Sequence, residues 1–285
     1  MRQDSSVLKP YLKWAGGKRQ LLDEIIKNLP SGIKNYTYYE PFVGAGAVFF
    51  ALRPLRGVIN DVNAQLMTTY RVIKEDVEAL IALLKEHEKN NTREYFYFVR
   101  NWDRDGPGFT RLPEVETAGR LIFLNKTCFN GLYRVNARGL FNVPRGKYKN
   151  PRICEENLLR GISVYLKNND ITILQGDFAA ALENAGDRAL VYFDPPYHSP
   201  DKLNFTGYQA PGFGEEEQIR LRDCFFALTK QGAKCLLSNA DTEFIRKLYT
   251  NPACEIIPLQ AKRSINSDAS RRGLIGEVLI KNWTR

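Results

Sequence analysis

The chain has only two histidines in 285 residues, His87 and His198, too few for a mechanism built on several imidazoles. Its five cysteines, Cys128, Cys154, Cys224, Cys235 and Cys254, form no C-x-x-C pair and no zinc-ligand spacing. They suit a reducing compartment, and no metal is expected. No apolar run approaches the ~18 residues of a membrane span. The N-terminal Met1-Arg2-Gln3-Asp4-Ser5-Ser6 lacks the apolar core of a secretory signal. Internal repeats and low-complexity tracts are absent as well. These absences predict a cytoplasmic protein with no membrane contact, whose chemistry falls to carboxylates, aromatics, backbone groups or a cofactor.

The most informative gap is in acidic residues. The whole chain carries 41 Lys and Arg against 32 Asp and Glu, a formal charge of +9. Between Thr117 and Cys154 there is no Asp or Glu at all, while Arg120, Lys126, Arg134, Arg138, Arg145, Lys147, Lys149 and Arg152 supply eight cations. The remainder is close to neutral. The same segment holds Phe129, Tyr133, Phe141 and Tyr148, and Asn125, Asn130, Asn136 and Asn142. Cations for phosphates, rings for stacking and amides for base edges are what a nucleic-acid surface needs. A smaller basic cluster, Lys262, Arg263, Arg271 and Arg272, surrounds Asp268 near the C-terminus; its role stays open.

A chain of this length holds about one or two domains. Short β-rich runs alternate with helix-period stretches, which predicts an α/β domain. The candidate strands are 36–39, 58–60, 171–175, 190–193, 235–238, 255–259 and 277–281, enough for one seven-stranded sheet. More than a hundred residues separate the second from the third, too many for a crossover loop. An insertion is therefore expected at 62–152, flanked by sheet segments 1–61 and 153–285. It begins helical, with Leu80, Leu83 and Leu84 at helical spacing. It ends in two β-like runs about Ala137-Arg138-Gly139, a hairpin expected at 129–144.

The first strand runs into Glu40-Pro41-Phe42-Val43-Gly44-Ala45-Gly46 and then a helix-compatible Ala47 to Leu52. A strand turning through glycines into a helix lets a ligand approach the backbone closely. Phe49 stands where the dinucleotide fingerprint needs its third glycine, which disfavours NAD. Asp61, after the second strand, suits a ribose hydroxyl acceptor, or equally a cap for the helix that follows. Upstream, Lys13-Trp14-Ala15-Gly16-Gly17-Lys18 is not a P-loop, because Leu12 replaces its first glycine and Arg19 its Ser/Thr. A nucleoside ligand with a carboxylate would satisfy Lys18, Trp14, the glycine turn and Asp61 together. S-adenosylmethionine has that description, and ATP fits less well.

Val191-Tyr192-Phe193 ends abruptly in Asp194-Pro195-Pro196-Tyr197. The two prolines stop the strand, and a turn-forming Asp would be the simplest account of a bare D-P-P. Joined to a glycine turn and a basic ribbon, the segment admits a sharper reading. The amino nitrogen of adenine is a poor nucleophile because its lone pair is delocalised into the ring. A carboxylate and a backbone carbonyl that accept its two hydrogens draw it toward a tetrahedral geometry. Asp194 and the carbonyl of Pro195 can be those acceptors, and the ring of Tyr197 can stack on the base.

Taken in order, Lys13 to Lys18, Glu40 to Gly46, Asn60-Asp61, Asn130-Gly131-Leu132-Tyr133-Arg134, Phe141-Asn142-Val143-Pro144 and Asp194 to Tyr197 resemble the motifs of the Dam-type DNA adenine methyltransferases. The likeness runs over nearly the whole chain. It is closest to the group that methylates adenine within GATC, as in the DpnII restriction–modification system. The resemblance implies a Rossmann-like S-adenosylmethionine-dependent methyltransferase domain with an inserted, mainly helical DNA-recognition domain that carries the hairpin. It implies cofactor contacts from Trp14, Lys18, Phe42, Gly44, Gly46, Asp61, Asp177, Phe178 and Asp194, and a catalytic motif of Asp194, Pro195 and Tyr197. Leu132, Arg134 and Pro144 match positions that read base edges, and Lys13 one that touches the flanking guanine. Phe129 stands where many relatives carry a tyrosine proposed to wedge between base pairs. Asn130, Asn136, Arg138, Arg145 and Lys147 complete the expected duplex DNA contacts. Phe205 or Tyr208 would help enclose a base flipped from the duplex. The implied product is S-adenosylhomocysteine, the location nucleoid DNA, and pairing with a restriction endonuclease stays open. The rivals are a cytosine-N4 methyltransferase, an RNA adenine methyltransferase and a non-enzymatic DNA-binding regulator.

Overall fold

The computed structural model describes residues 8–14, 16, 18, 21–104, 112–199, 213–262 and 274–283. Phe205, Tyr208 and most of the C-terminal basic cluster lie outside them.

Seven strands form one sheet: β1 (Thr37–Glu40), β2 (Arg56–Ile59), β3 (Asp170–Ile173), β4 (Ala189–Phe193), β5 (Lys234–Ala240), β6 (Glu255–Lys262) and β7 (Leu274–Lys281). The spatial order is β3-β2-β1-β4-β5-β7-β6. β1 pairs in parallel with β2 and β4, and β4 with β5, while β7 runs antiparallel between β5 and β6. This is the α/β architecture with one seven-stranded sheet that the strand pattern predicts, in a Rossmann-like arrangement. β4 is buried along its whole length, as expected of a central parallel strand covered on both faces.

The chain divides into two compact units, neither continuous in sequence. The first comprises residues 1–17, 44–53 and 61–176, the second residues 18–43, 54–60 and 177–285. The expected insertion at 62–152 falls wholly within the first.

The second unit carries six of the strands with α1 (Leu22–Lys27), α8 (Glu215–Lys230) and α9 (Glu243–Tyr249). Val191, Phe193, Leu221, Phe225, Leu237 and Ile280 lie at the heart of its core. Glu215, Glu216 and Glu217 in the first turn of α8 and Lys230 in its last complement the helix dipole.

The first unit holds α2 (Ala47–Leu52), α3 (Ala64–Glu75), α4 (Val77–Lys89), α5 (Arg93–Asn101), α6 (Glu114–Thr127) and α7 (Glu156–Asn168). α6 is its central rod: ten of its residues are buried, and α3, α4 and α5 pack around it. Asn63 caps α3 and Thr92 caps α5, each accepting a backbone N–H of the first turn. Buried inside is a charged clamp. The Arg120 guanidinium meets Asp103 Oδ2 at 2.8 Å and donates to the carbonyls of Val99 and Arg100. The same Oδ2 accepts the Phe141 N–H at 3.0 Å, and Arg104 donates to the Phe141 carbonyl at 2.6 Å.

Phe141 belongs to the basic segment where a hairpin is expected. The chain does reverse there, but as two isolated antiparallel bridges, Cys128 with Arg145 and Val135 with Phe141, above a 3-10 turn at Phe129–Gly131. No ladder develops between them. Asn136 accounts for this at the tip, because its Oδ1 takes the N–H groups of Arg138 and Leu140. Gly139 completes the turn at φ +75°, a left-handed conformation that favours glycine.

Candidate active site

β1 and β4 are neighbours at the centre of the sheet, and their onward connections lead to opposite sides. In doubly wound sheets such a switch point is where ligands meet the carboxyl ends of the strands. β4 delivers Asp194-Pro195-Pro196-Tyr197 to that edge, and β1 delivers Pro41-Phe42-Val43.

Asp194 Oδ1 lies 2.8 Å from Lys18 Nζ, with side chains only 18% and 8% exposed. The same ammonium sits 4.6 Å from the centroid of the Tyr197 ring, whose hydroxyl donates to Glu277 Oε2 at 3.0 Å. Burial pushes the Asp194 carboxyl above the usual carboxylate range; Lys18 pulls it back, and the charge of Glu277 adds to the rise. Burial, then the charge of Asp194, drives the Tyr197 phenol well above its ordinary value, so it remains a neutral donor. Of the expected residues, buried Lys18 and half-buried Asp194 and Tyr197 thus form one cluster. Glu277 is its unforeseen fourth member.

Phe42 packs against Phe178 (ring centroids 5.2 Å apart) and Phe213 (5.6 Å), making an aromatic wall beyond β1. Beside it, Arg220 grips both carboxylate oxygens of Asp177, at 2.9 and 2.5 Å, and lies 4.1 Å from the centroid of the Phe178 ring. That ion pair holds Asp177 below the usual carboxylate range.

In the first unit, Gly44 and Gly46 have φ of +49° and +73°. A Cβ on Gly44 would come 3.0 Å from Trp14 Cδ1, and one on Gly46 would come 2.7 Å from the Tyr70 hydroxyl oxygen. That hydroxyl donates to the Gly44 carbonyl at 3.1 Å. Asp61 closes the turn, accepting the N–H of Gly44 at 3.1 Å and of Asn63 at 2.9 Å. The cap of α3 is Asn63, so Asp61 serves the glycine turn and not the helix. Burial raises the Asp61 pKa, and these two backbone donors oppose the rise. Val62, next in sequence, is apolar yet 69% exposed.

Trp14 also stacks on Tyr133, with centroids 5.2 Å apart and planes at 25°. Lys13 is held through both backbone groups by the Asn125 amide, which also takes the Gly131 carbonyl. The Lys13 ammonium lies 4.3 Å from the Tyr148 ring centroid. In the basic segment Phe129, Asn130, Arg134, Asn136, Arg138, Pro144 and Lys147 are exposed, and Leu132 and Arg145 half-buried. Arg134 is not loose: its Nε donates to Asn142 Oδ1 at 2.8 Å, and its carbonyl accepts the Asn142 N–H at 3.1 Å.

Residues 14–265 match the family model of D12 class N6 adenine-specific DNA methyltransferases. The chain belongs to this family. The Type II methyltransferase M1.LlaDCHI of Lactococcus lactis subsp. cremoris is 44% identical, over 97% of this chain and 96% of that protein. The Type II methyltransferase M.MjaIII of Methanocaldococcus jannaschii is 42% identical, over 97% and 99%. The DNA adenine methylase of Escherichia coli K12 is 32% identical, over 95% and 94%. One solved structure, the rRNA methyltransferase aviRa from Streptomyces viridochromogenes, aligns at a TM-score of 0.43 and 15% identity, over 99% of this chain and 94% of that one.

This methyltransferase is thus an adenine-specific DNA enzyme, which sets aside the cytosine, RNA and non-enzymatic readings. Membership implies S-adenosylmethionine, and the residues present fit it. The glycine turn lies too close to Trp14 and Tyr70 for any side chain, so a ligand there would meet backbone. Lys18 supplies a cation suited to a carboxylate, Asp61 an acceptor suited to ribose, and Phe42 and Phe178 apolar faces suited to adenine. Among the described residues no group of three or more His, Cys, Asp or Glu is placed to hold a metal, and no helix is long and apolar enough to cross a membrane.

Proposed function

We propose that this methyltransferase modifies the exocyclic amino group of adenine within GATC in duplex DNA, after flipping the target base out of the helix. The cluster of Lys18, Asp194 and Tyr197 at the end of β4 carries the proposal. Asp194 and the carbonyl of Pro195 accept hydrogen bonds from the amino group, directing the nitrogen lone pair outward. Tyr197 supplies the face on which the base stacks, its ring fixed by Glu277. S-adenosylmethionine, when bound, supplies an electrophilic methyl group. Trp14, Lys18, Phe42, Gly44, Gly46, Asp61, Asp177 and Phe178 bind it, with Asp194 bordering both ligands. Flipping is required because the amino group is out of reach inside a stacked duplex. Orientation of this kind is worth roughly 7 to 11 kcal/mol of a barrier.

The division of labour follows the sequence: 1–61 and 153–285 bind the cofactor and do the chemistry, and 62–152 recognises DNA. Arg134 reads guanine through its outer guanidinium nitrogens, because Asn142 takes its Nε. Leu132 and Pro144 meet thymine methyls, and Lys13 the flanking guanine. Phe129 wedges at the flipped site. Asn130, Asn136, Arg138, Arg145 and Lys147 contact the backbone, where cations and amides position the protein. The enzyme acts on nucleoid DNA in the cytoplasm, and the Type II names of two relatives favour a companion endonuclease.

The test is labelled methyl transfer to short duplexes with and without GATC, followed by identification of the modified base. N6-methyladenine confined to GATC duplexes is expected; equal labelling without GATC overturns the target assignment. Asp194→Ala should abolish transfer while duplex binding persists. Arg134→Ala should lose about 1 to 3 kcal/mol of discrimination at one base position. Uniform loss of affinity for all sequences would make Arg134 a phosphate contact.

A further inference from the structure

Pro195 and Pro196 strip two N–H donors from the segment after β4. Its backbone can then be anchored only through carbonyls, or through the N–H groups that follow. Two buried amides do both. Gln218 on α8 donates Nε2 to the Pro196 carbonyl at 2.9 Å. Asn239 on β5 accepts the His198 N–H at 3.0 Å through Oδ1, and its Nδ2 donates to Gln218 Oε1 at 3.0 Å. The Ala240 N–H reaches the same Asn239 oxygen at 2.8 Å. Gln218 and Asn239 are 1% and 0% exposed.

The order of donors in this chain cannot be reversed. A backbone carbonyl at one end demands a donor, so the Gln218 nitrogen faces Pro196. Its oxygen therefore faces Asn239, whose nitrogen must point back and whose oxygen must meet His198 N–H. Flipping either amide would set two acceptors against each other in a buried site, at the cost of an unmade hydrogen bond. The geometry points to Gln218 and Asn239 as positioning residues for the reaction: an amide relay that fixes the peptide planes from Pro196 to His198, and so aims the Pro195 carbonyl and the Tyr197 ring. Neither amide touches the base or the cofactor. The relay acts through residues 195–197 and rests on the reading of that segment as catalytic.

Gln218→Glu tests it at constant volume, because a carboxylate cannot donate to the Pro196 carbonyl. The single-turnover rate should fall about tenfold to a hundredfold, the scale of a small misplacement of reacting groups. KM for duplex and cofactor affinity by calorimetry should not move. Because a protonated glutamic acid regains a donor, the rate relative to wild type should recover as pH is lowered. Gln218→Met should slow the reaction without that recovery. Wild-type rates in Gln218→Met, a loss in Gln218→Glu without recovery at low pH, or a parallel loss of cofactor and duplex affinity would each overturn the relay. Asp194→Ala, assayed alongside, separates the two layers: if it stays active, the catalytic reading of the segment fails; if it is dead while Gln218→Met is normal, only the relay fails.

Discussion

Arg120→Met removes the guanidinium from the middle of the helical unit and strands a charge. Arg120 and Asp103 have side chains 1% and 2% exposed, so neither can turn to water. Without Arg120, the Asp103 carboxylate keeps the Phe141 N–H and has Arg104 Nε at 4.0 Å. Breaking one side of such a buried pair costs about 3 to 5 kcal/mol, most of it the unpaired charge. In a chain of this size that lowers the melting temperature by roughly 6 to 20 °C. The double variant Arg120→Met/Asp103→Asn removes both charges while an amide oxygen still serves Phe141, and should recover most of the loss. Two units need not unfold as one transition, so the assay is native-state hydrogen exchange read on peptides from α6, with thermal melts in support. A single variant within about 1 kcal/mol of wild type, or a double variant no better than the single, would refute the reasoning.

Three other outcomes follow from the geometry. Asp194 must be ionised to accept from the base, and burial raises its pKa. The acid limb of the pH–rate profile should therefore lie above the usual aspartate value of about 3.9, with activity lost as pH falls through it; a limb at or below that value contradicts the burial argument. Gly46→Ala forces an alanine to φ +73° with its Cβ against the Tyr70 hydroxyl, so cofactor affinity measured by calorimetry should drop severalfold or more. His87 stacks on Phe123 inside the helical unit, and burial lowers its pKa to about 4. Since the unfolded chain takes up that proton first, stability should fall as pH drops from about 6.5 to about 4, by up to about 3 kcal/mol. His87→Leu should remove that part of the slope in acid-unfolding curves; an unchanged slope refutes it.

All seven strands stand close to where periodicity puts them, because each is a short β-rich run between turn residues. The motifs were equally visible, since Asp194-Pro195-Pro196-Tyr197 and the glycine turn are contiguous in sequence. What escaped reading is what depends on strand order. Glu277 reaches Tyr197 only because β7 runs antiparallel between β5 and β6, a pairing no local pattern encodes. Gln218 and Asn239 look like ordinary polar residues until α8 and β5 bring them to Pro196 and His198. Asp103 likewise looks like one more charge before a loop, although it holds Phe141 thirty-eight residues on. Local sequence also offered Asp61 as a cap for the following helix, a place that Asn63 takes while Asp61 accepts the Gly44 N–H. At the tip of the basic segment two β-like runs about a glycine-containing turn predict a hairpin; the chain reverses there, but the Asn136 side chain takes the N–H groups of Arg138 and Leu140 and only isolated bridges form.

The interleaving of the two units has a consequence for synthesis. The first unit is complete once the ribosome has passed Gly176, whereas β1 and β2 belong to the second. β1 is made early, yet its partner on one side, β4, begins only at Ala189. At roughly 5 to 20 residues per second, that edge of β1 waits about 7 to 30 s for the strand that covers it. For most of that interval the first unit is itself incomplete, and once Gly176 has been added the nascent chain carries a finished helical unit while one edge of β1 is still uncovered, a species suited to chaperone capture. Cold, or rare codons between β1 and β4, would lengthen the wait and lower the yield of active enzyme without altering any contact in the finished fold.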